Sequence, residues 1–341
     1  MTDTVYFQGN EIQDFAVTGN AVHVTTSGHF NASNTRGSVC LGSTTGTTSG
    51  TTETNDVGDG NFSATATDFW THSYVYLATV FSTTNRFLMW LSGGTRLLGL
   101  RLSAGSAPAT LEVGKYSAGA WSTLGTCTAN VLALSTLYKL DVHIVIGNPG
   151  TVAVYLDGVP IFNDSTLDLS WGGITSFDAV RIARPAVTSG AGVRFSEVIC
   201  ASWNTVGSKL VTGVPDANGN YTAWTGAGYT ALNELTPAAT YMTSGTANQR
   251  ISVSLGNFPA LGANERVESV KVVANALRDA SGPQKLNLFY RVNSTDTDDS
   301  DQSLTLSAAN YFHTWTASPD TASYWTPTEL NASEPGVRSR T

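Results

Sequence analysis

Residues 151–184, TVAVYLDGVPIFNDSTLDLSWGGITSFDAVRIAR, constrain the fold more tightly than any other stretch of the chain. Val152, Val154 and Leu156 alternate with Ala153, Tyr155 and Asp157, the period of a strand with one face toward a core. Asp157-Gly158 supplies turn residues, and Pro160, Ile161 and Phe162 begin a second run, so the segment reads as a β-hairpin. After the Gly172-Gly173 break, Val180 and Ile182 alternate with Ala179 and Arg181, which predicts a third strand over 177–183.

The composition agrees with an all-β chain. Charged residues are 13% of the total, and the 33 glycines sit among runs of Thr and Ser where surface helices would need Glu and Lys. At 341 residues, two domains fit better than one. Lys+Arg 18 against Asp+Glu 26 gives a formal charge of −8 with no basic cluster, which argues against a nucleic-acid partner. The N-terminus, MTDTVYFQGNEIQDF, has neither a charged n-region nor an apolar h-region, and no apolar run reaches bilayer length. Neither classical secretion nor membrane insertion is therefore expected. Cys40, Cys127 and Cys200 are far apart and without zinc-type spacing; Cys200, in VICASW, reads as a small buried apolar residue, with a disulfide to Cys40 or Cys127 left open.

Apolar clusters at Val5–Phe7 and at Phe15, Val17, Val22 and Val24 read as two short strands, and the Ser/Thr/Gly tract over 42–55 as a surface loop. Runs at 69–81, 87–91, 97–102, 111–116, 120–124 and 138–146 recur at about the spacing of a sandwich and end at turn residues. VRFSEVICASW over 193–203 closes the domain. The turn-rich segment 204–220 marks a boundary near 206, giving domains over 1–205 and 206–341. Strand, Asp157-Gly158 turn, strand, glycine loop and apolar-x-apolar strand resemble the signature hairpin of concanavalin A-like jelly rolls in their laminin G-like form, and Glu197 before the last apolar run extends the likeness. That resemblance implies that the first and last strands of the domain pair. It also implies a rim that can hold calcium, for which Asp157, Asn163, Asp164 and Asp168 are the candidates.

The second region predicts about five strands, at 251–255, 267–277, 285–292, 304–306 and 311–316, with the second and third joined as a long hairpin. Thr326 as N-cap, Pro327 at the first position, Glu329 three residues after the cap and the Trp325/Leu330 staple predict a short helix over 327–333, ended by Gly336. The fold class is thus all-β: a laminin G-like jelly-roll sandwich followed by a smaller β-sandwich with a short C-terminal helix. Val214-Pro215-Asp216, Gly219-Asn220-Tyr221, Trp224-Thr225, Asn233-Glu234, Trp315, Pro319-Asp320, Trp325-Thr326, Asn331, Glu334 and Gly336-Val337 resemble a segment of virion proteins of tailed bacteriophages. Pro335 and the inverted Pro319-Asp320 depart from that pattern. The resemblance implies a virion component and no catalytic site.

A search for catalytic chemistry returns little. The five histidines, His23, His29, His72, His143 and His313, are isolated, and His72 and His143 alternate with apolar residues as sheet histidines do. No pair of carboxylates is placed on one strand as glycoside hydrolysis requires. Asp296, Asp298, Asp299 and Asp301 begin like a calcium loop, but Asp301 and Ser307 stand where an EF-hand needs Gly and Glu, so the cluster reads as a solvated hairpin tip. Trp70, Trp90, Trp121 and Trp171 are candidates to stack on sugars, Trp121 and Trp171 foremost; core packing or a protein interface explains them equally well.

The expectation is a non-enzymatic structural component of a phage-like particle, tail-associated or on the head surface, assembled in the bacterial cytoplasm and located in the virion. Its expected partners are other virion proteins and further copies of itself, with a host surface glycan as a possible additional ligand. No cofactor is expected apart from calcium on the jelly-roll rim, at Asp157, Asp164 and Asp168. The alternative is a carbohydrate-binding adhesin acting through the jelly roll at Trp121 and Trp171.

Overall fold

The computed structural model describes residues 3–26, 28–41, 56–78, 86–103, 108–128, 131–184, 193–234, 240–256 and 258–341. The loop expected over 42–55 lies outside the described residues. The chain divides into two compact units, Met1–Val211 and Thr212–Thr341.

The first unit is a jelly roll. Its strands are β1 (Val5–Gly9), β2 (Ala16–Thr18), β3 (Ala21–Val24), β4 (Ser38–Leu41), β5 (Val57–Ala66), β6 (Asp68–Leu77), β7 (Arg86–Ser92), β8 (Thr95–Leu102), β9 (Leu111–Ser117), β10 (Ala120–Thr126), β11 (Leu137–Val145), β12 (Gly150–Leu156), β13 (Val159–Leu167), β14 (Phe177–Ala183) and β15 (Val193–Ala201). One sheet runs β13-β12-β11-β6-β15-β4-β3, with β1 also on β15; the other runs β10-β9-β8-β7-β14-β5-β2. A single core lies between them, with Phe69, Leu140, Val142 and Val154 from the first sheet meeting Leu88, Trp90, Leu100 and Ile182 from the second.

The expected hairpin is β12–β13, turning at Asp157 (φ 51°) and Gly158 (φ 81°), the doubly positive pair that matches strand twist. The third strand, β14, leaves that sheet for the other, between β7 and β5. First and last strands pair as expected, Val5 opposite Ala201 and Gly9 opposite Val198. The glycine-bearing β5 was not among the expected strands. Its place is set by neighbours, including Asp59 opposite Arg181, whose guanidinium binds the carboxylate through two bonds of 2.6 and 2.7 Å.

The second unit contains β16 (Pro215–Thr222), β17 (Arg250–Leu255), β18 (Val270–Ala276), β19 (Lys285–Val292), β20 (Thr295–Asp298), β21 (Gln302–Ser303), β22 (Ala309–Trp315), α1 (Pro327–Asn331) and β23 (Glu334–Arg340). A six-stranded sheet, β16-β17-β23-β19-β20 with β21 on β19, is accompanied by the two-stranded β18–β22. The expected hairpin between 267–277 and 285–292 does not form. β18 pairs β22, and Leu286, Leu288 and Tyr290 of β19 pack against Val270, Val272 and Ala274 of β18 in one core. Two apolar faces gain more by facing each other across a core than by lying side by side in one sheet.

The helix N-terminus is as expected: Thr326 accepts from Glu329 N, the Glu329 carboxylate accepts from Thr326 N at 2.8 Å, and Trp325 and Leu330 are buried. Its end is not. The helix stops at Asn331, and Gly336 lies within β23 opposite Phe289, whose ring occupies the space of a Cβ. The acidic cluster is also no solvated tip. Asp296 meets Arg250 and Arg291, Asp298 meets Arg250 and Arg338, Asp299 meets His313 and Asp301 meets Arg340, cations delivered by four other strands.

Candidate functional site

The outer side of the β7–β10 region of the jelly roll gathers aromatic rings and cations. Gly99 on β8 and Gly114 on β9 leave a trough in which the Arg86 side chain lies. A Cβ at Gly114 would stand 2.8 Å from Arg86 Nη2, and one at Gly99 3.0 Å from Arg86 Cγ. Arg86 is only 2% exposed. Trp121 closes the trough with its ring centroid 4.0 Å from the Arg86 Cζ, a cation–π contact that turns one indole face toward the sheet.

Tyr116 links the two tryptophans. It is the cross-strand partner of Trp121 in the β9–β10 hairpin, and the two rings meet edge to face at 5.2 Å and 64°. Trp171, from the 3-10 turn Trp171–Gly173, donates its Nε1–H to the Tyr116 carbonyl at 2.7 Å. Arg96 Cζ stands 4.8 Å from the Tyr116 centroid and Lys115 Nζ 5.1 Å from that of Trp171. All three rings are half-buried, so each is held by the protein and still meets solvent. The outer pair, Tyr116 and Trp121, forms a ledge that offers apolar area to the C–H face of a sugar ring, with Arg96 beside it as a charged donor to hydroxyl or carboxylate oxygens.

Trp121 and Trp171, 50 positions apart, both meet Tyr116 but on opposite faces of the sheet: Trp121 packs on the outer cluster of Met89 and Leu91, whereas Trp171 packs against the core between the sheets, beside Lys115. The residues that join them, Tyr116, Lys115, Arg96 and Arg86, were not singled out in the sequence. The one available signal was the pair of glycines, Gly99 and Gly114, inside strand patterns, which mark close approach of another group. The other tryptophans differ. Trp90 is fully buried, with Nε1 donating to Thr71 Oγ1 at 2.9 Å, which corrects the idea that it stacks on sugars. Trp70 is half-buried and stacks on His143 at 4.4 Å and 9°, while His143 Nε2 lies 2.8 Å from Asp68 Oδ1.

Of the expected calcium residues, Asp164 and Asp168 each bind their own turn and Asp157 binds across to β11. Asp157 Oδ1 accepts from Lys139 N at 2.8 Å, Asp164 Oδ1 from Thr166 N and Oγ1, and Asp168 Oδ1 from Ser170 N and Oγ. The Thr166 hydroxyl and amide hold the Asp164 carboxyl below its usual range, and the Ser170 amide and hydroxyl do the same for Asp168. Among the described residues no group of three or more His, Cys, Asp or Glu is gathered as metal ligands would be.

No protein-family model matches the sequence, and no curated protein matches it. Solved structures do resemble it. An endo-β-1,4-glucuronan lyase from Trichoderma reesei is 11% identical with TM-score 0.43, covering 58% of this chain and 95% of its own. The alginate lyase Aly36B is 10% identical with TM-score 0.37, covering 62% and 99%. The carbohydrate-binding module CBM66 from Bacillus subtilis is 14% identical with TM-score 0.34, covering 55% and 95%.

The presence of polysaccharide lyases in this group corrects the expectation of a non-enzymatic chain. That expectation rested on the missing carboxylate pair, which is a test for glycoside hydrolysis alone. Proton-transfer chemistry can be run by His, Lys or Tyr, and these residue types were not covered by that test.

Proposed function

We propose that the jelly-roll unit binds carbohydrate on the outer ledge formed by Tyr116 and Trp121. The observation that carries this reading is the edge-to-face contact of Tyr116 with Trp121 above the Arg86 guanidinium, which fixes both rings on the outer face. Rings fixed by protein contacts on one side lose little freedom when a sugar settles on the other. Arg96 beside the Tyr116 ring supplies donors that orient it.

The test is binding of the full chain to an array of neutral and acidic polysaccharides, followed by titration of the best ligand against Trp121→Ala, Tyr116→Ala and Trp171→Ala. The first two variants are expected to weaken binding about tenfold or more, and Trp171→Ala, on the other face, to leave it unchanged. Binding by Trp121→Ala and Tyr116→Ala equal to that of the parent, with circular dichroism of the parent retained, overturns the reading.

A second reading, a component of a phage particle that self-associates and contacts other virion proteins, is favoured by the motif resemblance of residues 206–341 alone. Mass spectrometry of purified particles from the source culture tests it: the chain is expected among their proteins, and its absence counts against this reading without touching the first.

A further inference from the structure

The Asn218–Gly228 segment of the second unit, part of the stretch that resembles phage virion proteins, builds a cavity that the ledge on the jelly roll does not use. β16 and β17 are in register at Asn218 opposite Val253 and again at Thr222 opposite Ile251, so residues 219–221 bulge. The bulge is pinned by Asn220 N on Glu334 Oε2 at 2.7 Å and by Tyr221 N on Ser252 Oγ at 3.0 Å. Beyond it, Thr225 and Thr243 exchange backbone bonds of 2.9 and 2.8 Å, which brings Met242 to the same place. A cavity of about 240 Å³ results, lined by Asn218, Thr222, Trp224, Met242, Ile251 and the turn Gly226-Ala227-Gly228.

Both glycines are required by this shape. Gly226 (φ 147°) approaches so closely that a Cβ would stand 2.6 Å from Met242 Sδ, and at Gly228 (φ 69°) a Cβ would overlap Asn218 Oδ1. The walls are held from behind. Trp224 Nε1 donates to Gln249 O at 3.1 Å, Tyr229 N to Asn218 Oδ1 at 2.8 Å and Gly228 N to Met242 Sδ at 3.1 Å. With its N–H engaged, Trp224 offers the cavity apolar ring, and Asn218, with Oδ1 engaged, offers its NH2 group. Thr222 adds a hydroxyl. None of the lining residues is charged.

We propose that this cavity is a binding site for a single neutral pyranose ring, such as the terminal residue of a glycan. Its volume lies below the range of about 300–1,000 Å³ common for larger ligands, which suits a single ring. An apolar wall beside an amide donor and a hydroxyl matches a ring with one C–H face and an edge of hydroxyl groups. The absence of charge in the lining favours a neutral sugar over a uronate or a phosphate.

The experiment titrates the full-length chain, with its tryptophan indoles labelled for NMR, with the methyl glycosides of glucose, galactose, mannose and N-acetylglucosamine. The Trp224 indole resonance is assigned by Trp224→Phe. At least one glycoside is expected to shift it saturably with Kd about 1 mM, as suits a one-ring ligand. Asn218→Ala and Thr222→Val should each weaken that binding about tenfold, while Trp121→Ala together with Trp171→Ala should leave it unchanged, which separates this site from the ledge. No saturable shift with any glycoside, or a shift that survives both Asn218→Ala and Thr222→Val in chains retaining the parent spectrum, overturns the proposal. So does a response to indole or adenine that no sugar reproduces.

Discussion

The backbone N–H of Leu210 donates to Glu197 Oε2 at 2.9 Å, tying the segment that leaves the jelly roll to a fully buried carboxylate at positive φ. Glu197 stands at φ 53° in the bulge between Ser196 and Ile199, and both its oxygens also accept from Asn34 Nδ2. Next to it the same segment places Thr205 Oγ1 on Asp141 Oδ1 at 2.7 Å, where His72 Nδ1 also binds at 2.8 Å. His72, Asp141, Glu197 and Thr205 are all at most 1% exposed, so residues 202–210 lie as a strap across the outer face of β6 and β11.

Truncating the anchor should free the strap. Glu197→Ala leaves the Leu210 N–H and the Asn34 amide without their acceptor and should destabilise the jelly roll by about 3 kcal/mol. Thr205→Val, which removes one hydrogen bond and keeps the shape, should cost about 1 kcal/mol. Urea midpoints measure both, and limited proteolysis of Glu197→Ala should open cleavage within 202–211. A Glu197→Ala midpoint equal to that of the parent speaks against the strap.

Glu11 should make the jelly roll less stable as pH rises through mild acid. Burial pushes its carboxyl from the usual 4.5 to about 7; Arg36 opposes the shift and Asp14 adds to it. The folded chain therefore holds this proton more tightly than the unfolded chain does. The contribution is complete below pH 4.5, where both states are protonated, and is lost as pH rises toward 7, by at most about 3 kcal/mol. Glu11→Gln should flatten the pH dependence between 4.5 and 7, as followed by urea midpoints at stepped pH; an unchanged slope removes Glu11 as its source.

The trough beneath Trp121 predicts a specific failure. Gly114→Ala places a methyl group where the Arg86 guanidinium lies, and overpacking of this kind costs about 1–3 kcal/mol. The expected outcome is a lower midpoint together with a changed Trp121 fluorescence, because the cation leaves the indole face. Gly119→Ala, in the β9–β10 turn at φ 82° with open space around it, should cost about 1 kcal/mol and leave that fluorescence alone.

The three thiols should be inert in the native chain. Cys40, Cys127 and Cys200 are free and buried, and burial pushes the Cys127 and Cys200 thiols up to about 12. Little thiolate forms near pH 8, so a disulfide reagent should react with three thiols only after denaturant is added. Prompt labelling of the native protein at Cys200, which is 0% exposed, would show that its strand opens locally.

Several elements were legible because their cause is local. The Asp157-Gly158 turn, the alternation of Val152, Val154 and Leu156, and the Thr326/Glu329 cap depend on residues a few positions apart, and each formed where expected. β5 and β20 were missed because neither is apolar enough to announce itself. Asp59 and Asp296 are held by arginines 122 and 46 residues away, respectively. The same distance hid Arg86 beneath Trp121 and Tyr116 between the two tryptophans.

The sequence by itself determined the strand class, the hairpin at 151–167 and the short capped helix, because side-chain period, turn chemistry and caps act over single turns of backbone; the pairing of the jelly roll's first and last strands was implied by the family resemblance alone. Only the tertiary structure decided that β18 pairs β22 and faces β19 across a core, that the acids of β20 meet arginines from three strands, and that Trp121 lies over Arg86 with Tyr116 at its edge. Those outcomes follow from which faces are left to be buried and which charges are left to be matched once the sheets are stacked, and neither quantity exists until distant strands have been brought side by side.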